Sequence, residues 1–265
     1  MKVEVNGIQV NYELSGNADG TVVMLSHSLC TCLEMWNTQM SALEQYFRVL
    51  LYDTRGHGGS GAPPNAYSLE QLGEDAIGLM DKLDIDKVHW VGISMGGMIG
   101  QNLALNHAHR LHSLVLCDTA AIMPEETQPV WQQRIDTAKS EGMQALGQET
   151  LDRWFTPPYL AKNPPQVQHI RDQILTTPVA GFIGCSEAIR RLNYIDRLAR
   201  IQLPTLIIVG EDDPGTPVSA SEAIHERIAG SELEILPAAR HLCNIEQTKA
   251  FNNALLPFLQ RHGSE

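Results

Sequence analysis

The chain contains no apolar run approaching the roughly 18 residues of a membrane helix, so no membrane partner is expected. Its opening residues, Met1-Lys2-Val3-Glu4-Val5-Asn6, lack the apolar stretch of an export signal, and a cytoplasmic location is the corresponding expectation. Positive charge is scarce. Lys+Arg number 19 against 31 Asp+Glu, a formal net charge of −12. Such a chain repels nucleic acid and anionic surfaces, so a nucleic-acid partner is not expected either. Cysteine is sparse as well. Five cysteines with no export signal read as free thiols in a reducing compartment. Cys30-x-Cys32 has no second Cys/His pair at finger spacing, so no metal site is expected. Repeats and low-complexity tracts are absent from the sequence.

What remains has the balance of an ordinary globular protein, 43% hydrophobic and 19% charged over 265 residues. That length suffices for one large α/β domain or two small ones. Residues 2–5 and 8–12 alternate apolar and polar around Asn6-Gly7, the strongest short hairpin signal because both turn positions need positive φ. The pattern then changes to continuous apolar runs at 21–25, 48–52, 88–91, 113–117 and 205–209, with a weaker one at 233–236. Runs of that kind are strands buried on both faces. Helical periodicity separates most of them, at about 34–46, 68–83, 95–107, 218–229 and 247–260. Strands alternating with helices imply right-handed crossovers and a mostly parallel, doubly wound sheet, here fed by an antiparallel hairpin.

One interval breaks the alternation. From 124 to 198 the pattern is helical and without a convincing strand, punctuated by Pro129, Pro157-Pro158, Pro164-Pro165 and Pro178. It reads as a cap of short helices, a lid inserted into a core made of 1–123 and 199–265. The cap is nearly charge-balanced, while the core carries most of the negative charge. That asymmetry suits a small anionic substrate; it is equally well explained by chance variation in composition.

The most informative stretch is Gly92-Ile93-Ser94-Met95-Gly96, between the 88–91 strand and the 95–107 helix. A serine between two glycines at a strand-to-helix turn is a nucleophile elbow, and its backbone is strained. The bland alternative is a small-residue turn with no chemistry. Serine needs a base, and the base an orienting acid, in the chain order Ser, Asp/Glu, His. The 205–209 strand runs into Gly210-Glu211-Asp212-Asp213, where either aspartate meets the requirement. Of the ten histidines, His241, in Pro237-Ala238-Ala239-Arg240-His241-Leu242, has the required order and context. An oxyanion needs two N–H donors. Met95, after the nucleophile, is one; Leu29, in Ser26-His27-Ser28-Leu29-Cys30-Thr31, is the other. His27 reads as a structural side chain that hydrogen-bonds neighbouring loops and fixes the hole.

Several segments recur together: Asp53-Thr54-Arg55-Gly56-His57-Gly58-Gly59-Ser60, the elbow, Leu116-Cys117-Asp118-Thr119-Ala120-Ala121, Arg153-Trp154-Phe155-Thr156 and His241-Leu242-Cys243-Asn244-Ile245-Glu246. With them the chain resembles the α/β-hydrolase fold and, within it, the 3-oxoadipate enol-lactonases. The resemblance implies a cofactor-free serine hydrolase that opens a five-membered enol lactone bearing a carboxylate, in bacterial breakdown of aromatic compounds. It places the acid three residues after the glycine, which favours Asp213 over Asp212. A carboxylate-bearing substrate wants a guanidinium, for which Arg134 is the first candidate and Arg153 the second; a surface ion pair explains either equally well. Trp154 is a candidate pocket wall, or plain core. The chain departs from the family pattern at Cys30, where glycine is usual, and at Cys243, where serine is usual; both cysteines are expected near the site. Rival readings reuse the same scaffold: an esterase or lactonase for another small acyl substrate, a C–C bond hydrolase, a perhydrolase, or a ligand receptor without turnover. Monomer and homodimer are equally open.

Overall fold

The computed structural model describes residues 1–263. Its sheet has eight strands: β1 (Lys2–Val5), β2 (Ile8–Gly16), β3 (Val22–Ser26), β4 (Arg48–Tyr52), β5 (Val88–Ile93), β6 (Leu111–Cys117), β7 (Thr205–Gly210) and β8 (Glu232–Leu236). The strand order is β1-β2-β4-β3-β5-β6-β7-β8. β1 and β2 form the expected hairpin, with Val3 opposite Val10, and Asn6 and Gly7 turn it at φ 45° and 78°. β2 runs on to Gly16 because its second half pairs antiparallel with β4, Tyr12 opposite Tyr52 and Gly16 opposite Arg48. Every later pairing is parallel. β5 and β7 are buried at every position, as continuous apolar runs require. β8 is the edge strand and mostly exposed, which is why its apolar signal is weak.

The crossover helices are α1 (Asn37–Leu43), α2 (Leu69–Lys82) and α3 (Met95–Asn106) before β6 and α9 (Val218–His225) between β7 and β8; α10 (Cys243–Glu246) and α11 (Thr248–Arg261) follow the last strand. The Ser68 side chain caps α2 by accepting the Gln71 N–H. Two expected helices divide. The 34–46 pattern becomes a 3₁₀ turn, Leu33–Trp36, followed by α1. The last pattern starts earlier, with α10 set off from α11 at Gln247.

Between β6 and β7 lie α4 (Gln128–Glu141), α5 (Gln144–Trp154), α6 (Pro157–Ala161), α7 (Pro165–Thr176) and α8 (Val179–Arg190). The prolines of this insertion start helices rather than break them: α4, α6 and α7 each carry proline in the first turn, where its missing N–H costs nothing. The insertion is fastened to the sheet at two levels. Ile122 and Asn193 form a β-bridge at its base. Higher up, Gly181 of α8 meets Gly56 of the loop after β4 backbone to backbone; a Cβ on Gly56 would come within 2.5 Å of Gly181 Cα. The hydrophobic core runs without a break from the sheet through Trp36, Trp90 and Phe251 into Phe155 and Phe182 of the insertion. No helix among the described residues is long and apolar enough to cross a membrane.

Candidate active site

Ser94 sits between β5 and α3 with φ 55° and ψ −115°, a strained left-handed conformation for a residue with a side chain. Its N–H donates to Cys117 O at 2.8 Å, and its carbonyl accepts from Thr119 Oγ1 at 2.8 Å. The flanking glycines are sterically required. A Cβ on Gly92 would strike the Gly96 carbonyl, and one on Gly96 would strike the Ser26 carbonyl. α3 begins at Met95, where first-turn amides have no intrahelical acceptor.

The loop after β7 turns Asp213 inward and leaves Asp212 exposed. Asp213 Oδ2 lies 2.8 Å from His241 Nδ1 and accepts Thr216 Oγ1–H at 2.6 Å; Oδ1 accepts the Gly215 N–H at 2.8 Å. Burial alone would raise the Asp213 pKa, but His241, Thr216 and Gly215 hold it below the usual carboxylate value. Burial would likewise favour neutral imidazole, yet the charge and hydrogen bond of Asp213 lift His241 above its ordinary value. A histidine held through Nδ1 on a carboxylate presents Nε2 as a proton acceptor. The Trp154 indole stacks over the His241 ring, centroids 6.0 Å apart and planes 24° apart.

The loop after β3 has its amides almost fully engaged. The Ser28 N–H donates to Met35 Sδ, Cys30 to His57 Nε2, Thr31 to Ser28 O, Cys32 to Gln173 Oε1 and Leu33 to Asp53 Oδ1. Among residues 28–33, Leu29 alone has an N–H without a protein acceptor. His27 ties neighbouring loops, accepting the Thr54 N–H at Nε2.

Ser94, Asp213 and His241 line one cavity of about 380 Å³, together with Leu29, Cys30, Arg134, Arg153 and Trp154. Arg134 is 9% exposed; Nη2 donates to Thr150 Oγ1 at 3.1 Å, Nη1 is 3.7 Å from Glu149, and its buried Nε has no partner. Burial depresses its pKa, an effect opposed by Glu149 and reinforced by Arg153. Cys30 lies on the cavity wall as expected, with its thiol pushed up to about 12 by burial. Cys243 is not on that wall. It is fully buried beside Asp118, and burial keeps its thiol well above the ordinary value.

The family model for the alpha/beta hydrolase fold matches residues 21–248. The chain belongs to the α/β-hydrolase family. It is 36% identical over 254 residues to 3-oxoadipate enol-lactonase 2 of Acinetobacter baylyi, covering 96% of this chain and 94% of that one. The enol-lactonase structure from Burkholderia xenovorans LB400 superimposes with a TM-score of 0.95 at 38% identity, over 98% and 100% of the two chains. A hydrolase structure from Pseudomonas aeruginosa PA01 gives 0.94 at 39% identity, over 98% and 97%.

Three contacts of this α/β-hydrolase lay outside the sequence reading. Thr216 holds both oxygen Oδ2 of Asp213 and, at 3.3 Å, His241 Nδ1; a threonine three residues beyond an aspartate in a Gly/Pro-rich loop was the available signal. Gln173 of α7 reaches the loop after β3 from 141 residues away, and no local pattern marks it. Asp118, at the end of β6, is fully buried and accepts the Gly210 N–H at 2.8 Å.

Proposed function

We propose that this chain is a serine hydrolase that opens a small carboxylate-bearing enol lactone, 3-oxoadipate enol-lactone, to 3-oxoadipate. The observation that carries the reading is the 2.8 Å pair of His241 and Asp213 on the same cavity as the strained Ser94, with a buried arginine on its wall. The enol-lactonase relatives support the choice of substrate. His241 takes the Ser94 hydroxyl proton as the oxygen attacks the lactone carbonyl. The N–H groups of Leu29 and Met95 receive the developing oxyanion. Collapse expels the ring oxygen as an enol, protonated by His241, and ketonisation of that enol removes the group that would re-close the ring. Water, activated by His241, then releases the acid from Ser94. Arg134 takes the substrate carboxylate, with Arg153 beside it and Trp154 as an apolar wall. Residues 124–198 act as the lid over this site, on a core of 1–123 and 199–265. The protein works as a cytoplasmic enzyme on a small molecule.

The test is steady-state hydrolysis of enzymatically generated 3-oxoadipate enol-lactone beside p-nitrophenyl acetate and butyrate, with Ser94→Ala as control. A kcat/KM of roughly 10⁵ M⁻¹s⁻¹ or more on the lactone, far above the esters and abolished in the control, is expected. Good ester turnover with a dead lactone assay would overturn the substrate and leave an esterase.

A further inference from the structure

Two histidines bind the loop after β3 to the loop after β4, and they do so reciprocally. His27, on the first loop, accepts the Thr54 N–H of the second at Nε2, 2.9 Å away. His57, on the second loop, accepts the Cys30 N–H of the first at Nε2, 3.0 Å away. An amide N–H can only donate, so each Nε2 carries the lone pair and each ring proton is on Nδ1. Those Nδ1 atoms face carbonyls of their own loops, Ser28 O at 2.7 Å and Arg55 O at 3.3 Å. Both rings are fully buried, with centroids 5.2 Å apart. Burial lowers His27 to about 4; burial and the neighbouring His27 lower His57 to about 3. Both are therefore neutral acceptors at neutral pH.

The contact made by His57 has a conformational consequence. Cys30 has φ 65°, in the left-handed region that a residue with a Cβ enters at a cost of about 1–3 kcal/mol. In that conformation its N–H is spent on His57 rather than directed into the cavity. The amide one residue earlier, Leu29, is then the one left without a protein acceptor. We infer that His57 is a positioning residue for the oxyanion donor, its Nε2 holding Cys30 in the left-handed conformation that leaves the Leu29 N–H open to the cavity. The inference rests on the reading of Leu29 as an oxyanion donor.

The experiment compares wild type, His57→Leu and His57→Gln, with active-site concentration fixed by fluorophosphonate titration of Ser94. A trifluoromethyl ketone that forms a hemiketal with serine reports oxyanion binding, and its alcohol analogue reports ground-state binding. His57→Leu, which has no acceptor, should lower kcat on p-nitrophenyl acetate about 10–100-fold with KM within about twofold. Ketone affinity should fall in parallel and alcohol affinity should not change. His57→Gln, which restores an acceptor oxygen, should recover most of both. Should the Leu variant not fold, the inference stands or falls on the Gln variant, whose kcat and ketone affinity must stay within about fivefold of wild type. If the Leu variant binds the ketone as wild type does, or the Gln variant is as poor as Leu, the role of His57 is refuted. If wild type itself binds the ketone no better than the alcohol, the oxyanion reading fails and the inference fails with it.

Discussion

Asp118 Oδ1 accepts the Gly210 N–H at 2.8 Å, so the end of β6 fastens the start of the loop that carries Asp213. The same carboxyl lies in the electrostatic reach of Asp213, His241 and Cys243, and follows Cys117 in the chain. Burial and the negative Asp213 raise its pKa to about 8, with His241, Cys243 and Gly210 pulling the other way.

A carboxyl whose folded pKa is raised binds a proton in the native state while the unfolded chain has released it. Its contribution is fully present below the ordinary carboxylate pKa of 3.8 and is lost as pH rises through about 8. Asp118→Asn keeps an acceptor for Gly210 and removes the proton linkage. Thermal melts should show the variant more stable than wild type by about 2 °C or more at pH 8, with the gap closing toward pH 5. Asp118→Ala removes the same linkage but strands the buried Gly210 N–H, and should be less stable than Asp118→Asn by about 1–3 kcal/mol at every pH.

Arg134 supplies the second prediction. Its guanidinium is largely desolvated and lies on the cavity wall, where the proposed function has it take the substrate carboxylate. Arg134→Met keeps the apolar stem and removes the charge. KM for 3-oxoadipate enol-lactone should rise about 10–100-fold with kcat little changed, matching about 1.5–3 kcal/mol for a hydrogen bond to a charged group. KM for p-nitrophenyl acetate, which has no carboxylate, should not move. An equal rise on both substrates would assign Arg134 to holding α4 and α5 together through Thr150 and Glu149 instead.

Acid lability follows from the buried histidines. His27 is depressed to about 4, His57 to about 3 and His89 to about 3, burial being the first cause in each. As pH falls below the ordinary 6.5, the unfolded chain takes up protons that the native state refuses. These three rings therefore contribute stability that is greatest above that value and declines as pH falls toward 4, outweighing the opposite contribution of Asp118. Melts between pH 7.5 and 4.5 should show Tm falling by several degrees, ~5 °C or more. His89→Gln should flatten the slope, since it removes one of the linked sites without touching the cavity. An unchanged slope in His89→Gln would mean that this ring is not buried in neutral form.

The sheet was legible because its signal is local: four apolar residues in a row, as at 22–25, 49–52, 114–117 and 206–209, fit the middle of a two-sided sheet. β8 was faint because an edge strand buries less. The elbow was equally local, since its glycines answer contacts within the same turn and with β3. The choice between Asp212 and Asp213 was harder. Adjacent loop residues differ only in which way the backbone turns them, and that is decided by Gly215 and Thr216 closing on one carboxylate. The contact between Cys32 and Gln173 and that between Cys30 and His57 were illegible for another reason. Each joins a backbone amide, identical for every residue type, to a side chain far along the chain. Cys243, two residues beyond His241 at the start of α10, is fully buried beside Asp118 and does not line the cavity.

The meeting of Gly56 and Gly181 bears on how the insertion can be exchanged. Any transplanted insertion must bring a residue without a side chain to that crossing. Recombination between related hydrolases should therefore tolerate wide divergence around Arg134 and Trp154 and almost none at this one contact. Gly181→Ala alone should mis-seat the insertion and displace Gly56, the neighbour of His57.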